Sequence, residues 1–200
     1  LKLHPEPYFR QNLLLSKDLS IFYGDRCVAN GISLTLNRGD RIALVGRNGC
    51  GKSSLLKLLI GQPIAHTGTL EIGSRLTVSY VPQDMSFLSG SADDFAAESE
   101  IDITLFKTIL RKLDFKRTQF TKDMSEFSMG QKKKVLLARS LCQRANLYIW
   151  DEPLNYIDVI SRLQIETLIL EYKPTMLFVE HDEAFVNDIA TKVCRISLNQ

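Results

Sequence analysis

Apolar residues in this chain come in short runs, and the spacing within each run decides what it becomes. Leu13-Leu14-Leu15, Ile21-Phe22-Tyr23 and Ile32-Ser33-Leu34-Thr35-Leu36 have an extended pattern and are separated by Gly24-Asp25 and Asn30-Gly31. They predict an antiparallel β layer near the N-terminus. Arg41-Ile42-Ala43-Leu44-Val45, Thr77-Val78-Ser79-Tyr80-Val81, Leu147-Tyr148-Ile149-Trp150 and Met176-Leu177-Phe178-Val179 are short and rich in β-branched or aromatic residues. Runs of this kind suit parallel strands covered on both faces. Helical spacing fills the gaps, over 54–60, about 104–113, 131–143, 159–172 and 183–190. The alternation predicts an α/β fold with a mostly parallel core sheet and an N-terminal antiparallel β subdomain. One stretch breaks it. Residues 86–127 open on polar and acidic positions (Ser89-Gly90-Ser91-Ala92-Asp93-Asp94) and continue helically. They read as an inserted helical subdomain, which with the next helix runs to about residue 142.

Composition narrows the picture only a little. Two hundred residues can bury a real core, and 44% hydrophobic with 24% charged residues is ordinary for a globular domain. A net charge of +2 gives no overall basic field, so any nucleic-acid contact would need a local basic face. Cys27, Cys50, Cys142 and Cys194 lie far apart with no C-x-x-C pair, as reduced thiols of a cytoplasmic protein would. No apolar run approaches the ~20 residues that span a bilayer, and no signal peptide is recognisable. The chain opens at Leu1, in the extended-looking Leu3-His4-Pro5-Glu6-Pro7-Tyr8, and is expected to be a piece of a longer polypeptide.

The chemistry is concentrated between the strand at 41–45 and the helix at 54–60. Gly46-Arg47-Asn48-Gly49-Cys50-Gly51-Lys52-Ser53 is a complete G-x-x-x-x-G-K-S phosphate loop in the strand-to-helix setting such a loop requires. Its glycines let successive N–H groups turn toward an anion, and the helix N-terminus adds its positive dipole end. Lys52 is placed to reach the β- and γ-phosphates of a nucleoside triphosphate, and the Ser53 hydroxyl to ligate Mg²⁺. The strand Leu147-Tyr148-Ile149-Trp150 ends in Asp151-Glu152. Asp151 would stand near the metal, and Glu152 would polarise the attacking water as general base. Lys132-Lys133-Lys134 opens a helix, where cations oppose the dipole. The triplet is either a solvated face or a response to a nearby anion. His4 and His66 have no chemical context and are expected to be structural.

Phe127-Ser128-Met129-Gly130-Gln131 makes a resemblance specific. It is similar to the L-S-G-G-Q signature of ATP-binding-cassette (ABC) ATPases, with Phe127 and Met129 replacing the Leu and the first Gly. Other motifs of that family have counterparts in order. Tyr23 resembles the adenine-stacking aromatic. Gln83, in Tyr80-Val81-Pro82-Gln83, resembles the residue that senses Mg²⁺ and the γ-phosphate. Asp158 resembles the D-loop acid, and His181, in Val179-Glu180-His181-Asp182, the switch histidine that serves catalysis beside Glu152. The resemblance runs from Leu13 to Leu198. It implies ATP and Mg²⁺ as ligands, with Ser53, Gln83 and Asp151 around the metal (partly through water) and phosphate contacts reaching Ser54. It also implies that Ser128, Met129, Gly130 and Gln131 act in trans, on ATP held by a second ABC domain of the same full-length chain or of a homodimer. Met129 puts a side chain where the family has glycine, and is expected to crowd that approach.

Asp151-Glu152-Pro153-Leu154-Asn155-Tyr156-Ile157-Asp158 points to a branch. Transporter domains read D-E-P-T-S-A-L-D here and soluble ABC-F proteins D-E-P-T-N-H-L-D, so Asn155 matches the latter. With the Phe-Ser-Met-Gly-Gln signature, the segment resembles ABC-F proteins that protect ribosomes from antibiotics. That resemblance implies two ATPase domains on one cytoplasmic chain, no membrane segment, and the ribosome and its RNA as partner. Residues 1–11 would then end the interdomain linker, and residues 12–200 would form the second ABC domain. The ATPase subunit of a membrane ABC transporter is the alternative. The two readings differ over whether the helical subdomain presents a basic surface or a socket for a membrane-domain helix.

Overall fold

A computed structural model describes residues 1–197, so the last residues of the expected 12–200 domain, and the Leu198 end of the resemblance, lie outside the described residues. The chain begins against its own body. Leu3 and Tyr8 are buried, and β1 (His4–Pro5) pairs in parallel with residues 144–145. β2 (Asn12–Tyr23) and β3 (Arg26–Asn37) form one long antiparallel hairpin that turns at Gly24-Asp25. Asn30-Gly31 does not separate two strands, as the sequence led us to expect. Leu19 faces Ile32 and Ile21 faces Ala29, so Asn30 and Gly31 together oppose the single Ser20. This is a β-bulge with Gly31 left-handed at φ +65°, and the Ser20 hydroxyl bonds the Asn30 side chain at 2.6 Å. The segment from Leu13 to Leu36 is therefore two long strands rather than three short ones.

β4 (Arg41–Val45) and α1 (Lys52–Leu59) intervene before β5 (Ala65–Ile72) returns antiparallel along β2 and completes that layer. Then come β6 (Val78–Val81), α2 (Ala92–Glu98), α3 (Ile103–Lys112) and α4 (Met129–Cys142). β7 (Arg144–Ala145) is the partner of β1, and β8 (Leu147–Asp151) follows. α5 (Val159–Tyr172), β9 (Met176–Val179), α6 (Glu183–Ile189) and β10 (Lys192–Arg195) finish the order. Strands β10, β4, β9, β8 and β6 lie side by side, all parallel.

Both faces of this sheet are covered. Ile42, Leu44, Leu147, Ile149, Leu177 and Val179 point toward α1 and the antiparallel layer. The alternate residues Ala43, Tyr148, Trp150, Met176 and Phe178 point toward the helices. β8 and β9 are accordingly buried at every position. The result is the expected α/β architecture, with a parallel core, an antiparallel layer and helices between β6 and β8. The acids that open the helical stretch have a local reason. Ser91 caps α2 by accepting from the Asp94 N–H, and Asp93 and Asp94 occupy its first turn, where negative charge meets the helix dipole.

Candidate nucleotide site

The loop between β4 and α1 closes against β3. Gly51 caps α1 at φ +87°, and a Cβ there would sit 2.6 Å from the Ala29 Cβ and 2.7 Å from the Val28 carbonyl. Only glycine permits both the backbone angle and that approach. Lys52 folds across the loop, its Nζ donating to the carbonyls of Gly46 at 2.9 Å and Arg47 at 3.0 Å. A cleft of about 600 Å³ opens above it. One wall is Asn48, Gly49, Gly51, Lys52, Ser53 and Ser54; the other carries Gln83, Glu152, Asn155 and His181, with Arg26 and Val28 at the edge.

Asp151 and Glu152, though adjacent, have opposite settings. Asp151 ends β8 fully buried, and its Oδ1 has no partner among the described residues. Burial pushes its carboxyl up from the usual range, and the Ser53 hydroxyl beside it draws it back down. An orphaned carboxylate oxygen next to a serine hydroxyl is an oxygen donor set suited to a small hard cation, so these residues fit Mg²⁺. Glu152 has a left-handed backbone at φ 49°, uncommon for a residue with a side chain and typical of strained functional positions. Its carboxylate lines the cleft and collects three partners. Oε2 accepts from Gln83 Nε2 at 2.8 Å and from Asn155 Nδ2 at 2.5 Å, and His181 Nε2 lies 3.5 Å from Oε1.

Other residues singled out by the sequence stand outside the cleft. Tyr23 ends β2 half exposed, across the turn from Arg26. Gly46, Arg47 and Cys50 line a separate cavity with Arg195 and Ile196. None of Ser128, Met129, Gly130 or Gln131 lines the cleft. Ser128 and Gln131 satisfy one another as a capping box at the start of α4, through Gln131 N–H to Ser128 Oγ at 3.3 Å and Ser128 N–H to Gln131 Oε1 at 2.9 Å. A Cβ on Gly130 would lie 2.5 Å from the Tyr156 carbonyl, so glycine is required there within this chain, while Met129 projects half exposed. Asp158 caps α5, accepting from the Ser161 N–H at 2.9 Å and holding Lys134 at 2.6 Å. The lysine triplet is therefore not a solvated face: Lys134 is paired and Lys133 is buried. All four cysteines are free thiols.

Sequence reasoning missed Asn155 and Arg26 as site residues. Asn155 stands three residues beyond Glu152 in a tight turn, and that spacing is its one local signal. Arg26 reaches the cleft only through the β2–β3 hairpin.

The sequence and the fold both have counterparts among known proteins. The ABC transporter family model matches residues 29–155. YdiF of Bacillus subtilis is 36% identical over 193 residues, 92% of this chain and 30% of the relative. The ATP-binding protein Uup of Escherichia coli is 36% identical over 78% of this chain and 26% of its own length. ABC transporter F family member 2 of Arabidopsis thaliana is 29% identical over 93% of this chain and 28% of its own. The chain thus spans about three-tenths of these relatives. Among solved structures, an ATP-binding subunit of an ABC transporter superposes with a TM-score of 0.76 at 22% identity, covering 93% of this chain and 88% of that one. The archaeal ribosome recycling factor aABCE1, solved with the ribosomal stalk protein aP1, superposes at 0.74 with 25% identity over 97% of this chain and 38% of that one.

Proposed function

This chain belongs to the ABC transporter family of ATP-binding domains, and from that premise we propose that it hydrolyses ATP as one ABC domain of a cytoplasmic, ribosome-associated ABC-F protein. The observation that carries the ATPase reading is Glu152, a carboxylate facing the phosphate-loop cleft with Gln83, Asn155 and His181 converging on it. In this role Glu152 accepts the proton of the attacking water. Gln83 and Asn155 fix the carboxylate, and His181 stands where a γ-phosphate oxygen would arrive. Lys52 neutralises the phosphates, and Tyr23 stacks on adenine. Ser53 and Asp151, with Gln83, would hold Mg²⁺, which when bound offsets charge on the β- and γ-phosphates. Ser128 to Gln131 complete the site of a second ABC domain, with Asp158 at the same junction. We place the chain as the second domain of its protein, with residues 1–11 ending the linker.

The ribosomal half of the proposal draws on the relatives and on charge. Two of them carry the names Uup and ABC transporter F, and aABCE1 is titled a ribosome recycling factor. Between residues 107 and 122 the helical subdomain carries six basic residues against one acid, Asp114, and Arg111, Lys112, Lys116, Arg117 and Lys122 are exposed. Such a face binds a phosphate backbone in a salt-dependent way. Its resistance role is protection of the ribosome from antibiotics, as the signature and the Asp151–Asp158 segment suggest. The test is sucrose-gradient sedimentation of full-length Glu152→Gln protein from cells given ATP. Gln keeps the bulk of Glu152 but removes the base, so hydrolysis should fall by about 10²–10⁴ and the ATP-bound protein should collect in ribosomal fractions. Absence from those fractions with ATP trapped would favour a transporter subunit. Reversing Lys116, Arg117 and Lys122 should release the trapped protein without restoring hydrolysis.

A further inference from the structure

Lys133 is the strongest feature that this reading leaves unexplained. It lies on α4, five residues after Ser128, and is 1% exposed. A buried ammonium is costly unless its protons are satisfied. Here Nζ donates to two backbone carbonyls, those of Pro82 and Asp151, each at 3.3 Å. Neither carbonyl is incidental. The Pro82 carbonyl belongs to the peptide that leads into Gln83, and the Asp151 carbonyl to the peptide that leads into Glu152. The second peptide precedes a left-handed residue, and such a conformation persists only where its surroundings over-determine it. Burial lowers the Lys133 pKa, while Asp151, Glu152 and Glu180 favour its charged form.

We propose that Lys133 is a positioning residue. By holding the peptides before Gln83 and Glu152, it sets the bond between those two side chains and ties α4 to the catalytic wall of its own cleft. α4 also carries the signature at its N-terminus, and the neighbouring Lys134 holds Asp158. A shift of the signature against a second domain would therefore reach Glu152 through one side chain. The inference rests on the ATPase reading above.

The test compares wild type, Lys133→Met, Lys133→Gln and Lys133→Arg in the full-length protein, by thermal unfolding, ATP affinity and steady-state ATPase. Methionine keeps the volume but leaves the Pro82 and Asp151 carbonyls without their donor and the buried Asp151 without its neighbouring cation, so it should lower Tm. The diagnostic is kinetic: its KM should stay within about twofold. Its kcat should fall by about 10²-fold, the scale of an ångström-size misplacement of a reacting group. Arginine, which keeps charge and donors, should recover part of kcat. The same split is required of Lys133→Gln, so the test survives a methionine variant that fails to fold. A kcat near wild type, or a loss of kcat accompanied by a raised KM, would overturn the proposal. Wild-type protein that binds ATP without turning it over would overturn the ATPase reading and this inference with it.

Discussion

Glu152 receives hydrogen bonds from Gln83 and Asn155 and faces His181, three residues that lie 69, 3 and 29 positions away in the chain. Their meeting is a tertiary fact, yet most of them could be found beforehand. Asp151-Glu152 ends an apolar strand, Gln83 follows another, and His181 a third, so a parallel sheet delivers all three to one edge. The phosphate loop was legible for a simpler reason: its residues are consecutive. Lys133 was illegible, because a lysine's sequence gives no sign that two backbone carbonyls and three carboxylates will draw it inside. Lys52 shows what such a charge does within the cleft. It holds the carbonyls of Gly46 and Arg47 and is the one loop residue that puts a fixed ammonium into the cleft. Lys52→Ala should abolish tight ATP binding, because it removes that charge from the phosphates. Calorimetric titration with ATP checks this, and an unchanged affinity would contradict the phosphate-loop assignment.

Periodicity located the helices α3 to α6 and the central strands to within about two residues, and failed where an element buries nothing. β5, Ala-His-Thr-Gly-Thr-Leu-Glu-Ile, is exposed at nearly every position and contains Gly68, so no apolar run marks it. Backbone pairing to β2 alone makes it a strand. Asn30-Gly31 misled in the opposite sense, because a bulge and a turn use the same residues. The helix that follows His181 offers a direct test. Asp182 caps α6 and takes a two-pronged bond from Arg162 on α5, at 2.6 and 2.8 Å. That bond, with the Phe185 N–H, lowers its carboxyl to about 2. A depressed folded-state pKa contributes stability above the unfolded value, about 4, and loses it as pH falls toward the folded one. Wild-type Tm should therefore drop between pH 4 and pH 2 by more than that of Asp182→Asn, which should be the less stable protein at pH 7. Parallel acid limbs in the two melting profiles would show that the Arg162 pair does not anchor α6.

The molecule as a whole presents a cleft finished on one side. The phosphate loop and the Glu152 cluster form two walls, while Ser128 to Gln131 stand elsewhere, at the head of α4. Around them the surface is apolar where a solvated protein would be polar: Met129, Tyr156, Val159 and Ile160 are all at least 46% exposed. An open cleft and a Ser128–Gln131 segment that stands apart from it fit together if two domains exchange them, each lending that segment to the other's phosphates. Such a shared site would not work in one copy. The isolated chain should turn ATP over slowly, at a rate per molecule that rises with protein concentration. In the range where it rises, two inactive variants should complement each other. Lys52→Ala keeps its signature but cannot hold phosphate, and Ser128→Arg keeps its phosphate loop but blocks the signature with bulk and charge. In a mixed pair, one composite site combines the intact phosphate loop of the second with the intact signature of the first. The mixture should then exceed the sum of its parts. An additive rate, with both variants folded and wild type active at the same concentration, would mean that each cleft is completed by its own chain.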